Sequence, residues 1–249
     1  MKHFKKANVF SPFAIFLLLF ASAVVLFFYT SYAFCKVAPF NTASAVQNQT
    51  LPIIIIDAGH GGEDGGTVGT NGVFEKELNL KIAYILRDIC EASGYTTVMT
   101  RSEDILLYDR SVDFKGRKKA LDLAARVKIA SSYENAVFIS IHMNAFPEKK
   151  YSGLQVYYST NNDTSAALAK NIQEGVKTQL QQGNDRKIKP AGSNIYILDR
   201  IALPAVLIEC GFLSNDEECA KLTSLDYQKQ LALSIFSAIS KYIEEPLDK

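Results

Sequence analysis

Short, unbroken apolar runs alternate along this chain with longer stretches whose apolar residues recur every three or four positions, a pattern that predicts an α/β fold. Residues 53–56 are four consecutive isoleucines. They are too few for a helical core and too β-branched for a loop, so they read as a buried strand. Helical spacing follows over residues 74–93, with Leu78, Ile82, Ile85, Leu86, Ile89 and Cys90 on one stripe and Gly94 placed to close the helix. Residues 95–100 read as a second strand, then an irregular charged stretch runs to about residue 116, and a basic helix spans 117–132. Residues 136–141 (AVFISI) form a third buried strand that runs into His142, and 154–158 a fourth. A helix over 163–180 carries Leu168, Ala169, Ile172 and Val176 on one face, with Asn162 or Asp163 as its cap. A turn-rich segment, 181–194, leads to residues 195–198. A last strand, 205–208, ends on Glu209, and a closing helix starts near Asp226 with Leu231, Ile235, Phe236, Ile239 and Ile243 inward. No internal repeat or second domain interrupts this order.

The N-terminus breaks the pattern. Lys2, Lys5 and Lys6 precede an uncharged apolar run over residues 13–28 that continues weakly to Phe34. Two readings stand side by side for residues 1–35. One is a signal peptide cleaved after Ala33, with Ser31 and Ala33 as its small residues; the other is a membrane anchor of about the 20 residues that span a bilayer. In both, positive residues stay inside and the bulk of the chain lies outside the cytoplasm. Residues 36–52 are polar and irregular, a linker, and 53–249 form a single α/β domain.

Composition narrows the class. Of 249 residues, 48% are hydrophobic, enough for a sizeable core and against disorder. Setting aside the three leading lysines, 24 basic residues face 26 acidic ones, a balance that does not suit nucleic acid. Cys35, Cys90, Cys210 and Cys219 form no CxxC pair and no regular spacing, so neither a zinc finger nor a disulfide framework is indicated. Cys90, on a helical stripe, reads as a core thiol.

Seven of the fourteen glycines fall between residues 59 and 72, directly after the isoleucine strand. Neither GxGxxG nor GxxxxGK[ST] fits there, and Glu63 and Asp64 would repel a phosphate, so a nucleotide is not indicated. The loop instead presents His60. His60 and His142 are two of only three histidines, and each follows an apolar strand, where open α/β sheets gather ligands. Two histidines and a carboxylate are an established zinc set that leaves a fourth position for water. Glu75 falls on the inward face of its helix and Glu77 on the outward face; an acid favoured by the helix dipole fits both, so spacing alone leaves the ligand open. Glu209 ends an apolar strand. Partial burial there would raise its pKa and suit a proton carrier, and a glutamate held by backbone amides or an arginine fits equally. Asp57, three residues before His60, can orient a ligand or serve the turn. Asn144, Arg101, Arg110 and Arg126 are candidates for substrate contact, with solvated surface arginines as the alternative.

The strings IDAGHGGEDGG, FEKELNL, SIHMNA and ECGFLSN, in this order and spacing, resemble the zinc-dependent N-acetylmuramoyl-L-alanine amidases of bacterial cell walls, the amidase 3 family. The resemblance implies one Zn2+ held by His60, Glu75 and His142, with Glu209 as catalytic acid/base. It also implies a mixed, largely parallel sheet flanked by helices on both faces. GRKKALDLAARVKIA, YSGLQVYY and residues 194–215 are similar to the germination-specific subgroup of endospore formers, which trims peptides from muramic acid in spore cortex before muramic δ-lactam forms. The expected partners are peptidoglycan, a membrane if the N-terminal segment is uncleaved, and an accessory extracytoplasmic protein needed for activity. The expected location is the developing spore envelope. Ala58 and Cys210 depart from the family pattern, and Cys210 beside Glu209 is a candidate for oxidation. Rival classes are another zinc peptidoglycan hydrolase, peptidase or deacetylase, and a non-catalytic wall-binding module.

Overall fold

The structure, a computed structural model, describes residues 12–37, 51–111 and 113–245, with backbone alone at 12, 14, 18 and 31–37. The chain divides into two compact units, Met1–Thr50 and Leu51–Lys249. In the first, α1 (Pro12–Val37) is a 26-residue helix whose Phe13, Phe16, Phe20 and Phe27 are exposed. Among the described residues no helix is long and apolar enough to cross a membrane. The side chains at residues 14 and 18 inside the apolar run lie outside that description, so the run's uncharged length remains a fact of the sequence. Of Cys35 only the helical backbone is described, and residues 38–50 of the expected linker fall outside the described residues.

The second unit contains β1 (Ile53–Ala58), α2 (Glu75–Ala92), β2 (Thr97–Met99), α3 (Lys118–Ala130), β3 (Ala136–Asn144), β4 (Gln155–Tyr158), α4 (Ser165–Gln179), β5 (Lys189–Pro190), β6 (Ala205–Phe212), α5 (Asp216–Thr223) and α6 (Leu225–Glu244). Six strands form one sheet in the order β2-β1-β3-β6-β4-β5. The first four run parallel, and β4 pairs antiparallel with β6. Strand order reverses at β1, with β2 on one side and β3 on the other. The crevice at the carboxyl ends of β1 and β3 is therefore a switch point, the place where such sheets bind ligands.

Side chains of a strand alternate between faces, and this alternation builds the site. One face of the sheet carries Ile54, Ile56 and Ala58 from β1, Val137, Ile139 and Ile141 from β3, and Val206 and Ile208 from β6, packed against α2, α4 and α6 in the main core. The other face begins with Ile55, Phe138, Ala205 and Leu207, covered by Ala130 and Val127 of α3 and by the turn segment that holds Ile197, Leu198 and Ile201. Further along, this second face turns polar. Asp57 pairs in register with Ser140, and His142 with Glu209. Each fully buried isoleucine contributes roughly 1.5–3 kcal/mol by leaving water, so the strands that aim the polar row are anchored by their apolar alternates.

Several boundaries differ from expectation for local reasons. His142 and Glu209 lie inside β3 and β6, because pairing continues past the apolar runs, with a register shift between His142 and Asn144. Thr164, and not Asn162 or Asp163, is the N-cap of α4; Asn162 Oδ1 instead accepts from Thr164 N (3.0 Å) in a turn one step earlier. Short helix α5 stands where no element was expected, and Asn215 caps it by accepting from Glu218 N at 3.0 Å. Cys90 is fully buried, as its stripe predicted.

Candidate metal centre and active site

Each wall of the site comes from a different element. His60 sits two residues past β1 with φ 60°, a left-handed conformation that costs a non-glycine residue roughly 1–2 kcal/mol, and Gly61 and Gly62 (φ 139° and 53°) carry the chain away from it. Close approach also requires glycine at two positions. A Cβ on Gly59 would lie 2.2 Å from His142 Nε2, and one on Gly66 would lie 2.6 Å from Glu75 Oε2. Glu75 opens α2 and is 2% exposed, whereas Glu77 is exposed. The helix thus settles which acid faces inward.

His60, Glu75 and His142 each offer a ligand atom, all within 4.8 Å of one another. Glu75 Oε1 lies 3.2 Å from His60 Nε2 and 3.0 Å from His142 Nδ1. The carboxylate is fixed from behind. Its Oε1 accepts from Met143 N (3.0 Å) and Asn79 Nδ2 (3.3 Å), and its Oε2 from Thr67 N (2.9 Å). The other ring nitrogen of His60, Nδ1, lies 2.9 Å from Asp64 Oδ2. A carboxylate on the outer nitrogen is the usual device for orienting a metal-binding imidazole. The acid placed to do so is Asp64, whereas Asp57 is engaged by Arg126, Ser140 and Thr100. The i,i+4 offset of Asp64 from His60, and of Asn79 from Glu75, was the available signal for both.

Charges in the site are strongly perturbed. Burial works against a charged His60, but the Asp64 and Glu75 carboxylates facing its two ring nitrogens outweigh it and raise the imidazole to about 9. Burial would raise Glu75, yet the two imidazoles hold it far below the usual carboxylate range. Glu209 goes the other way: burial first, and the Glu75 carboxylate, raise it to about 7 against the pull of His142 and His60. Glu209 Oε2 is buried and has no hydrogen-bond partner among the described residues. Two like-signed acids and two imidazoles gathered around one point suit a divalent cation, which would offset the crowding of lone pairs, and the two-histidine, one-carboxylate donor set fits zinc. The cleft of about 400 Å³ that holds the triad is lined also by Glu209, Asn144, Thr67 and Lys119.

The arginines have another role. Arg126 is 1% exposed: it donates from Nε to Asp122 Oδ2 (2.8 Å), from Nη1 to Asp57 Oδ1 (2.6 Å) and Ala58 O (2.7 Å), and from Nη2 to His60 O (2.7 Å) and Asp122 Oδ1 (3.2 Å). Arg101, 2% exposed, donates to the carbonyls of Ala58 (2.8 Å), Gly59 (3.0 Å), Lys76 (2.8 Å) and Glu103 (3.0 Å). Both lie beneath the site and neither lines the triad cleft, though Arg126 borders a second cavity that opens on His60, His142 and Glu209. They cap the carbonyls freed where β1 ends, and so hold the backbone of His60. Arg110 is exposed and stacks near Tyr108, in a groove separate from the metal cleft. Asn144 alone of the four substrate candidates lines the cleft. Cys210 is fully buried, and burial pushes its thiol well above its ordinary range, which removes the thiolate that oxidation needs.

Comparison with known proteins agrees with this geometry. Residues 54–241 match the family model Amidase_3, N-acetylmuramoyl-L-alanine amidase. The germination-specific N-acetylmuramoyl-L-alanine amidase of Bacillus subtilis is 38% identical over 196 residues, covering 79% of this chain and 81% of that protein. The CwlD amidase of Clostridioides difficile, solved in complex with the GerS lipoprotein, superposes with a TM-score of 0.72 at 40% identity, covering 77% of this chain and 98% of that one. The AmiC2 amidase of Nostoc punctiforme superposes with a TM-score of 0.65 at 31% identity, over 78% and 98% of the two chains. With its fold, its convergent triad and these similarities in agreement, the chain belongs to the amidase 3 family of N-acetylmuramoyl-L-alanine amidases.

Proposed function

We propose that this chain hydrolyses the amide between the lactyl group of N-acetylmuramic acid and L-alanine, with one zinc ion held by His60, Glu75 and His142 and with Glu209 as proton carrier. The observation that carries the reading is the convergence of the three ligand atoms beside a buried glutamate whose Oε2 is unpartnered among the described residues. Zinc, when bound, supplies Lewis acidity toward the carbonyl and toward water. Glu209 accepts the proton of the attacking water as the new C–O bond forms, and returns it to the departing alanine nitrogen as the C–N bond breaks. A carboxyl raised toward neutrality suits both halves of that exchange, since a carrier works best with a pKa near the working pH. Asp64 keeps the His60 ring turned so that Nε2 faces the triad, and Arg101, Arg126 and Asn79 hold the strand end that carries it.

The similarity to a germination-specific enzyme supports action on spore cortex, before muramic δ-lactam formation, at an extracytoplasmic location reached through residues 1–35 as signal or anchor. The Clostridioides difficile relative was solved with a lipoprotein bound, which favours an accessory extracytoplasmic partner for this chain too. Mass spectrometry of digested cortex peptidoglycan, alongside zinc stoichiometry by elemental analysis, tests the proposal. Released peptides with intact, acetylated glycan are expected. Lost acetyl groups, or cuts within the peptide, would replace the amidase reading with a deacetylase or peptidase.

A further inference from the structure

Two cavities meet at the triad. The cleft described above shares His60, His142 and Glu209 with a second cavity of about 240 Å³ walled by Leu123, Ile195, Tyr196 and Leu207. The acids that border them are Asp57, Asp64, Glu75, Asp122 and Glu209, and two cations face these acids, Lys119 and Arg126. Every donor of Arg126 is already engaged by Asp57, Asp122 and two carbonyls. Lys119 is different. It borders both cavities, its side chain is 64% exposed, and its ion pair is a long one, 3.3 Å to Asp64 Oδ2, an oxygen that His60 Nδ1 holds more closely at 2.9 Å. Its neighbour Lys118 points to other work, bonded to Glu63 at 3.0 Å and lying over the Phe114 ring.

We infer that Lys119 is a substrate-binding residue that receives a carboxylate on the peptide side of the scissile amide. Asp57 and Asp122 are already neutralised by Arg126, so the acids an anionic substrate meets at the mouth are Asp64 and those of the triad cleft, and the cation with free hydrogen-bonding capacity beside them is Lys119. Its three N–H donors allow it to keep the Asp64 contact while binding a second carboxylate. Position, exposure and spare donors together thus make it a selector for acidic peptides. The inference rests on the amidase reading and deepens it.

The test uses the full-length chain in detergent and two synthetic N-acetylmuramoyl-peptides, alike except that the peptide carboxylates are free in one and amidated in the other. Wild type is expected to prefer the free form. In Lys119→Gln that preference, the ratio of the two kcat/KM values, is expected to fall about tenfold, mainly through KM, as for loss of a partly exposed charge-assisted hydrogen bond. Lys119→Arg should keep most of the preference, and zinc content should be the same in all three proteins. An unchanged ratio in Lys119→Gln, indifference of wild type to amidation, or loss of zinc with equal damage to both substrates would each overturn the inference and leave Lys119 as a partner of Asp64. The assays are run with and without spore-envelope extract, which supplies the accessory protein, and no turnover of either substrate by wild type in both conditions would overturn the amidase reading beneath it.

Discussion

Two buried polar clusters sit next to each other on the same face of the sheet, and they are built on opposite plans. In the lower one, Asp57 accepts from Thr100 Oγ1 (2.7 Å), Arg126 Nη1 (2.6 Å) and Ser140 Oγ (2.6 Å), while Asp122 chelates the far side of the guanidinium. Nothing in that set is left over. In the upper one, two residues further along the strands, His60, Glu75 and His142 point ligand atoms at each other and Glu209 Oε2 is without a partner among the described residues. A buried polar group normally finds its partner within the fold, so saturation marks a foundation and a deliberate remainder marks a place for something the chain does not itself supply. The contrast separates two kinds of buried charge that burial alone does not distinguish.

Substitutions can break that contrast from either side. The largest effect is expected at the upper cluster: Glu209→Gln should lower kcat by about 10²- to 10⁴-fold in a cortex-digestion assay, with zinc content retained. Near-normal turnover would remove Glu209 from the chemistry. At the lower cluster, Arg126→Met strands two buried carboxylates and should cost about 3–5 kcal/mol of unfolding free energy in urea titration. Stability equal to wild type would show that the lower cluster is no foundation.

The response to pH sharpens the comparison, because the clusters carry shifts of opposite sign. Asp57 is fully buried, and although burial alone would raise it, Arg126, Ser140 and Thr100 hold it below its ordinary value. Its contribution is therefore present above the unfolded pKa near 4 and lost only as pH falls through the lower folded value. Glu209 is raised from 4.5 to about 7, so the folded chain favours its protonated form, and stability should decline as pH rises from 4.5 to 7. His60, raised from 6.5 to about 9, extends the decline to about pH 9. Thermal melts of the zinc-free chain across pH 4–9 should show that slope, a few kcal/mol in all, and Glu209→Gln should flatten its lower half. A flat wild-type profile would contradict both shifts.

Smaller effects follow. Asp64→Asn should weaken zinc binding about 10- to 100-fold in chelator competition, the usual result of removing a carboxylate from behind an imidazole ligand. Arg110→Ala, outside both clusters, should change stability by less than about 0.5 kcal/mol in the same urea titration.

How much of this was legible before any coordinates depended on whether a feature was periodic or convergent. The stripe of α2 and the isoleucines of β1 announced themselves, because burial of one face imposes a repeat. The inward face of Glu75 followed from the same repeat. Arg101 and Arg126 were not legible as buried, since much of what holds them is carbonyls at residues 58–60, which every sequence has and none displays; the one local mark was Asp122, four residues before Arg126 on α3. That Asp64, rather than Asp57, stands behind the His60 ring was hidden for a related reason. Both are near His60 in the chain, but the left-handed turn at His60 and the glycines after it carry Asp64 back to the ring, and a turn's handedness is only weakly written in composition. Helix α5 escaped because its signal was a cap, Asn215 with Glu218 three residues on, and not an apolar run.

The two-residue alternation of β6 has a bearing on how this enzyme can vary. Leu207 and Glu209 face the site while Val206, Ile208 and Cys210 face the main core. Losing one residue ahead of Glu209 would bury the acid among aliphatic side chains and put the Cys210 thiol in its place, and gaining one would bury the acid and put Ile208 there. Length in this strand is therefore held more tightly than identity: its apolar members can be exchanged for others of similar bulk, but the count of residues from Ala205 to Glu209 cannot drift.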